Sequence, residues 1–416
     1  MITLLDYGAG NVRSVVNAVE RLGGTIKPVK TAQDILDAEK LLFPGVGNYA
    51  SMIRILNEKK YIEPLREYLA ADRPFFGICL GMQALFEGSE EDLSGNESIG
   101  FFKGMVKRFK TGLSVPHIGW NGVNLKQDSP VFDGVAADTK FYFVHSYHLA
   151  PEDPSVILTT TSYDYEFASS VQKGNVMGTQ FHPEKSGAAG MKLLENFISK
   201  PDLTPRGTVD QKGGGLSKRV IACLDVRSND QGDLVVTKGD QYDVREKGDV
   251  RNLGKPVELA GRYYGEGADE ITFLNITGFR DFPFKDMPMI KVLEETSKNV
   301  FVPLTIGGGI RDYTDSNGTT YTALDVAARY FRSGADKISI GSDAVYIAKE
   351  YLETGVKTGK SSIEQISLVY GAQAVVISVD PQRVYVKSPA DAPSHKVIAT
   401  KVPGPDGESF CWYQCT

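Results

Sequence analysis

Cysteine is scarce, at four in 416 residues. That is too few for a disulfide framework and points to a reducing compartment, the cytoplasm, where each thiol is free for chemistry. Long apolar runs are missing too. None reaches the ~18 residues that a membrane span needs. The opening Met1–Asp6 has no basic flank and carries an acid within its apolar stretch, so it does not read as a secretory signal. A basic stripe is also absent: 46 Lys and Arg stand against 52 Asp and Glu, a net charge of −6, which argues against a nucleic-acid partner. What remains is an ordinary globular composition, 41% hydrophobic and 24% charged. The length exceeds what one core usually holds, so two domains are expected.

The first segment alternates strands and helices. Ile2–Asp6, Lys40–Phe43 and Pro74–Ile78 read as buried strands. Residues 11–22 place Val12, Val15, Val16, Val19 and Leu22 at helical spacing, and residues 79–87 read as a further helix. From Gly100 short strands dominate, with Phe141–His145 and Asn175–Phe181 the clearest. Met191–Ile198 closes the segment as an amphipathic helix. This texture predicts an open α/β sheet with helices on both faces over residues 1–199. Residues 200–217 carry two prolines and four glycines without periodicity and read as a linker. Residues 218–416 then start a new series. Strands at Val220–Val226, Glu270–Ile276, Val302–Ile306, Asp336–Ile340 and Ala374–Val379 alternate with helical stretches, as in a (β/α) barrel. A polar, hairpin-like stretch follows at Arg383–Trp412. Only about 200 residues serve this domain, whereas a full (β/α)8 barrel takes about 250. The expectation is a partial barrel lacking about three C-terminal strands, from a chain truncated at its C-terminus rather than a working five-strand variant.

Three motifs in the first segment belong together. Phe75-Phe76-Gly77-Ile78-Cys79-Leu80-Gly81-Met82-Gln83 has the form of a strand, a sharp turn at a nucleophile and a helix. The glycines leave room for a strained turn, and the helix N-terminus favours a thiolate at Cys79. On its own Cys79 would be a small buried residue. Phe181-His182-Pro183-Glu184, about 100 residues on, supplies a base for the thiol proton and a carboxylate to orient the imidazole. Pro44-Gly45-Val46-Gly47 is a tight loop with free N–H groups, a candidate oxyanion hole together with the N–H of Leu80. With these residues, segment 1–199 resembles the class I (triad) glutamine amidotransferases. The resemblance implies a Cys79–His182–Glu184 triad, an oxyanion strand at Gly45–Gly47, and glutamine binding at Gln83 and Glu91.

In the second segment, Gly307-Gly308-Gly309 follows a strand and bares backbone N–H groups at the end of a barrel where phosphate binds. Gly341-Ser342, after the next strand, adds a hydroxyl and a helix N-terminus for the same phosphate. Asp225 and Asp380 end strands one and five, opposite each other in a closed barrel, which suits paired acid/base work; either alone would serve as a loop cap. This segment resembles the cyclase family of imidazole glycerol phosphate synthases, and the whole chain resembles the fused, bifunctional form, from histidine biosynthesis. The resemblance implies that ammonia from glutamine crosses the barrel to N′-phosphoribulosyl-formimino-aminoimidazole-carboxamide ribonucleotide. Imidazole glycerol phosphate, aminoimidazole-carboxamide ribonucleotide and glutamate would result. It further implies Asp225 and Asp380 as acid/base pair, Lys238 as a substrate contact, and Arg219, Glu270 and Lys337 as members of a charged gate where ammonia enters. A solvated salt-bridge ring is the other reading of those three. The second phosphate site and the fourth gate residue of the family fall in strands six to eight. No metal, cofactor or separate glutaminase subunit is called for. Two other readings stay open: a glutaminase alone or serving another synthase, against which the barrel motifs argue, and a non-catalytic regulatory partner, against which the intact triad argues.

Overall fold

The computed structural model describes residues 1–8, 11–229, 231–237, 245–246, 249–250, 252–276 and 287–415. In the first half, five parallel strands form the centre of a sheet in the order Val176–Thr179, Phe75–Cys79, Leu41–Gly45, Ile2–Leu4 and Ile26–Pro28. Beyond Val176–Thr179 the sheet turns antiparallel through Tyr165–Lys173, Ile157–Tyr163 and Asn124–Asp128. The central strands are mainly apolar because both faces are covered. Leu41, Phe43 and Phe75 pack against the helices Tyr49–Glu58 and Ile62–Ala70, while Leu42, Phe76 and Ile78 pack against Arg13–Arg21 and Gly187–Ser199. Each fully buried side chain of this size is worth roughly 1.5–3 kcal/mol.

The stretch 200–217, read as a linker, is partly tied down. Gly207–Gln211 is a strand laid antiparallel on Asn124–Asp128, and Arg206 pairs with Asp128 and Asp133. The helix expected over 79–87 is a single turn, Leu80–Gln83, after which Phe86–Ser89 becomes a strand beside Phe102–Arg108. Buried Phe86 and Phe102, with ring centroids 5.6 Å apart, draw the chain into that pairing.

The second half is an open six-stranded sheet. Its order is Leu234–Thr237, Ile221–Ser228, Glu270–Asn275, Leu304–Gly307, Lys337–Ile340 and Val375–Ile377. The last five run parallel, and Leu234–Thr237 adds antiparallel to Ile221–Ser228, a strand the sequence reading lacked. The sheet does not close on itself among the described residues. Along its strands the side chains alternate strictly. Leu224, Val226, Ile271, Phe273, Leu304, Ile306, Ile338 and Ile340 form one core with the crossover helices. Positions 223, 225, 272, 305, 337 and 339 occupy the opposite face as Cys, Asp, Thr, Thr, Lys and Ser, joined there by Leu274 toward the strand ends. After Val375–Ile377 the chain forms a small sheet of Pro381–Val386, Phe410–Cys415 and Ile398–Ala399, matching the hairpin-like stretch read there.

The two halves meet at the starts of the parallel strands of the second. Asp336 is the hub. One carboxylate oxygen accepts from Asn11 Nδ2 at 2.8 Å; the other accepts from the Leu304 N–H at 2.8 Å and pairs with Lys185 at 2.6 Å. Asn17 donates to Ser297 Oγ at 3.0 Å, and the Gly187 N–H donates to the Phe301 carbonyl at 3.1 Å.

Candidate active site

Cys79 ends a central strand with φ +53° and ψ −107°, a conformation that side chains rarely adopt. The strained turn lifts the thiol clear of the sheet, and close packing of glycine holds it there. A Cβ on Gly81 would lie 1.9 Å from the Phe43 carbonyl oxygen, and one on Gly45 2.5 Å from the Gly81 nitrogen. His182 follows the neighbouring strand Val176–Thr179. Its Nδ1 donates to Glu184 Oε1 at 2.8 Å, and the Tyr142 carbonyl accepts from its backbone N–H. Nε2 is buried with no oxygen or nitrogen partner and turns to the Cys79 thiol. Burial works against an imidazolium here, but the Glu184 carboxylate and then Cys79 outweigh it and hold the His182 pKa above the ordinary histidine value. A thiol and an imidazole so placed form an acid–base pair with its tautomer set by a carboxylate.

The pocket at this thiol is lined by Val46, Gly47, Leu80, Gln83 and Glu91 as well as Cys79, His182 and Glu184. The Leu80 N–H opens a helix and has no intrahelical acceptor. The Tyr7 hydroxyl donates to the Val46 carbonyl and so fixes the plane of the Val46–Gly47 peptide. Glu91 Oε2 accepts from the Tyr49 N–H at 3.0 Å; burial pushes its carboxyl up, against that bond and the Asn48 side chain. The far wall of the same pocket comes from the second half of the chain, through Asp336, Lys337 and Gln373.

Lys337 begins its strand and Glu270 begins another. Arg219 Nη1 donates to Glu270 Oε1 at 2.9 Å, and Lys337 Nζ donates to Glu270 Oε2. Glu270 is 1% exposed and Lys337 5%, so these two are a buried pair and not a solvated ring. Burial pulls the Lys337 ammonium down while Glu270 draws it back up. The Lys337 ammonium also lies 5.8 Å from the centre of the Tyr142 ring.

A second cavity, of about 360 Å³, opens at the other ends of these strands. Gly308, Gly309, Gly341, Ser342 and Asp380 line it, with Arg311. Gly308 has φ +88°, and a Cβ there would lie 2.1 Å from the Asn275 carbonyl oxygen. Gly307 ends its strand and Gly341 caps the helix Ser342–Thr354. Asp225 does not end its strand, as the sequence reading had it. The strand runs on to Ser228 because Leu234–Thr237 pairs with its last residues. Asp225 is in register with Leu274, which aligns with Gly307 and then Ser339, and Leu274 and Ser339 line the cavity. Asp380 lies three residues past Val375–Ile377 and is exposed. Lys238 lies outside the described residues. Gln180, Tyr142, Lys185, Asp336 and Asn11 were missed by sequence reading. The only signal for any of them was the two-residue spacing of Gln180, His182 and Glu184.

Known proteins match this two-part plan. Residues 3–200 match the glutamine amidotransferase class-I family and residues 219–401 the histidine biosynthesis protein family. The whole chain is 58% identical over 423 residues to the chloroplastic imidazole glycerol phosphate synthase hisHF of Arabidopsis thaliana, spanning 71% of that protein. It is 53% identical over 433 residues to the Schizosaccharomyces pombe hisHF synthase and 50% over 438 to that of Emericella nidulans, spanning 80% and 79% of them. The chain belongs to the hisHF family of imidazole glycerol phosphate synthases. It is thus a fused enzyme, with a glutaminase and a cyclase region in one chain, and needs no separate glutaminase subunit. Among the described residues, no helix is long and apolar enough to cross a membrane.

Proposed function

We propose that this hisHF family member hydrolyses glutamine at Cys79 and passes the ammonia along the polar face of its second sheet to a phosphorylated ribonucleotide. The Cys79 sulfur attacks the carboxamide carbon after its proton passes to His182 Nε2, and Glu184 holds the imidazole for that exchange. The N–H groups of Leu80 and the Gly45–Gly47 loop stabilise the oxyanion. Gln83 and Glu91 hold the glutamine. His182 protonates the departing ammonia, and water releases glutamate from the thioester. The ammonia then meets Arg219, Glu270 and Lys337. Beyond them, Cys223, Thr272, Thr305 and Ser339 line the way to the Gly308–Ser342 cavity, a strand length of about 13 Å. There the glycine N–H groups and the helix N-terminus hold a phosphate. Asp225 and Asp380 act as acid and base in forming imidazole glycerol phosphate and the carboxamide ribonucleotide, with Lys238 a further substrate contact. Residues 1–199 would be the glutaminase and 218–416 the cyclase region.

The observation that carries this reading is that Lys337 stands in the wall of the Cys79 pocket while its own strand leads to the other cavity. The four free cysteines fit a reducing compartment, the cytoplasm. Glutamine hydrolysis measured with and without the ribonucleotide tests the proposal. Cys79→Ser should abolish hydrolysis and leave the circular dichroism unchanged. Hydrolysis that persists in Cys79→Ser would remove the nucleophile assignment, and ammonia appearing wholly in bulk solvent would remove the passage.

A further inference from the structure

The thiol has a neighbour that the triad does not use. Gln180 follows the Val176–Thr179 strand and is fully buried. Its Nε2 lies 3.4 Å from Cys79 Sγ, and its Oε1 accepts from Gln83 Nε2 at 3.0 Å. A side-chain amide can face either way, so the direction of these bonds needs a fixed reference. The backbone provides one. Gln83 Nε2 also reaches the Tyr147 carbonyl at 3.4 Å. A carbonyl can only accept, so Gln83 must turn its NH2 that way, and the same NH2 meets Gln180. Gln180 must answer with its oxygen, which leaves its own NH2 for Cys79.

The same carbonyl orders the residues behind it. His145 Nδ1 lies 2.7 Å from it and must donate, so His145 Nε2 is the acceptor for His117 Nδ1 at 3.0 Å. Asn121 Nδ2 closes the chain, donating to the Ser162 carbonyl at 3.0 Å and reaching His117 Nε2 at 3.4 Å. The pattern requires both histidines to be neutral. Burial holds them so, His117 at about 4 and His145, helped by His117, well below the usual value. The Tyr147 carbonyl is therefore clamped by two donors, His145 and Gln83. Gln83 Oε1 remains buried and unpartnered in the pocket itself.

We propose that Gln180 is a dedicated hydrogen-bond donor to the reacting sulfur, oriented through Gln83 by the Tyr147 carbonyl. The proposal rests on the reading of Cys79 as nucleophile. When the thiol proton moves to His182, negative charge gathers on Sγ and the Gln180 N–H bond becomes charge-assisted. Acylation removes that charge. In the second half-reaction water attacks the thioester carbon, the C–S bond breaks, and its electron pair returns to sulfur. Gln180 again faces a thiolate, now the leaving group, and its donation eases that departure.

The full chain is assayed as wild type, Cys79→Ser, Gln180→Met and Gln180→Glu. Gln180→Met keeps length without a donor; Gln180→Glu keeps shape but places an acceptor against sulfur. Iodoacetamide is the probe, with Cys79 alkylation followed by peptide mass across pH. In both Gln180 variants the pH of half-maximal alkylation should rise, further in Gln180→Glu. The kcat for glutamine should fall about ten- to a hundredfold, the scale of a lost charge-assisted bond, with KM changed far less. A wild-type alkylation profile in either folded variant overturns the inference, even if activity drops, because mere structural damage would lower kcat without moving that profile. If Cys79→Ser still hydrolyses glutamine, the nucleophile reading itself fails. If it is inactive while both Gln180 variants keep the wild-type profile, only the role of Gln180 fails.

Discussion

Glu184 touches His182 and nothing of the substrate need touch Glu184, yet it decides which imidazole nitrogen faces Cys79. Glu184→Gln keeps the shape and removes the charge that supports the imidazolium. A positioned base contributes typically 10²–10⁴-fold. The kcat for glutamine hydrolysis should therefore fall by roughly that range with an unchanged circular dichroism spectrum. The histidines behind the pocket carry a different consequence. His117 is buried and held at about 4 in the folded chain. Unfolded, it titrates near 6.5, so the unfolded chain binds the proton first as pH falls. The stability that neutral His117 contributes is complete above about pH 6.5 and is lost as pH drops toward 4, roughly 3 kcal/mol over the window. Urea midpoints measured at pH 7 and pH 4.5 should show the loss, and His117→Gln should shrink it. An equal fall in both proteins would assign the acid sensitivity elsewhere.

At the scale of elements, the strand–turn–helix at Cys79 is built on contacts that admit no side chain. Gly81→Ala would force a methyl to 1.9 Å from the Phe43 carbonyl oxygen, a backbone atom that cannot swing away. Overpacking costs typically 1–3 kcal/mol, occasionally more. The elbow should open before the sheet melts, so thermal denaturation should show a lowered Tm, and glutamine hydrolysis should be lost already at temperatures where the fold persists. Full activity in Gly81→Ala would mean the elbow tolerates a shift the packing denies. The same elements show where local pattern misleads. Residues 79–87 have helical spacing, but Phe86 finds a better place against Phe102 in the sheet, so the helix stops after one turn. The Gly-rich stretch 200–217 has no periodicity, yet Gly207–Gln211 fills an open sheet edge. Both outcomes depend on partners 16 or more positions away, beyond what spacing can register.

At the scale of the whole molecule, the contact between the halves concentrates on one carboxylate. Asp336 binds Asn11 and Lys185 from the first half and the Leu304 N–H from the second. The Lys185 side chain is 3% exposed, and it follows Glu184 directly in the chain. Removing Asp336 leaves a buried ammonium without its counter-charge, a loss of roughly 3–5 kcal/mol. Asp336→Ala should lower the Tm and weaken the response of glutamine hydrolysis to a ligand in the far cavity. Adding Lys185→Met should recover part of the stability, giving a non-additive double-mutant cycle. Additive losses would mean that the pair is not the coupling element.

The sequence by itself determined the chemistry and its local frames. The elbow at Cys79, the His182-Pro183-Glu184 turn and the Gly307–Gly309 run are each contiguous, and their backbone demands are written in residue type. Two α/β halves were legible for the same reason, since buried parallel strands must be apolar and crossovers must be amphipathic. Only the tertiary structure decided which groups face one another. Gln180 against Cys79, Asp336 against Lys185 and Lys337 in the wall of the glutaminase pocket join residues between about 100 and 260 positions apart. Such pairs arise from sheet order and domain docking, which bury the charges, fix the amide directions through the Tyr147 carbonyl, and set one pocket at the start of strands whose ends form the other.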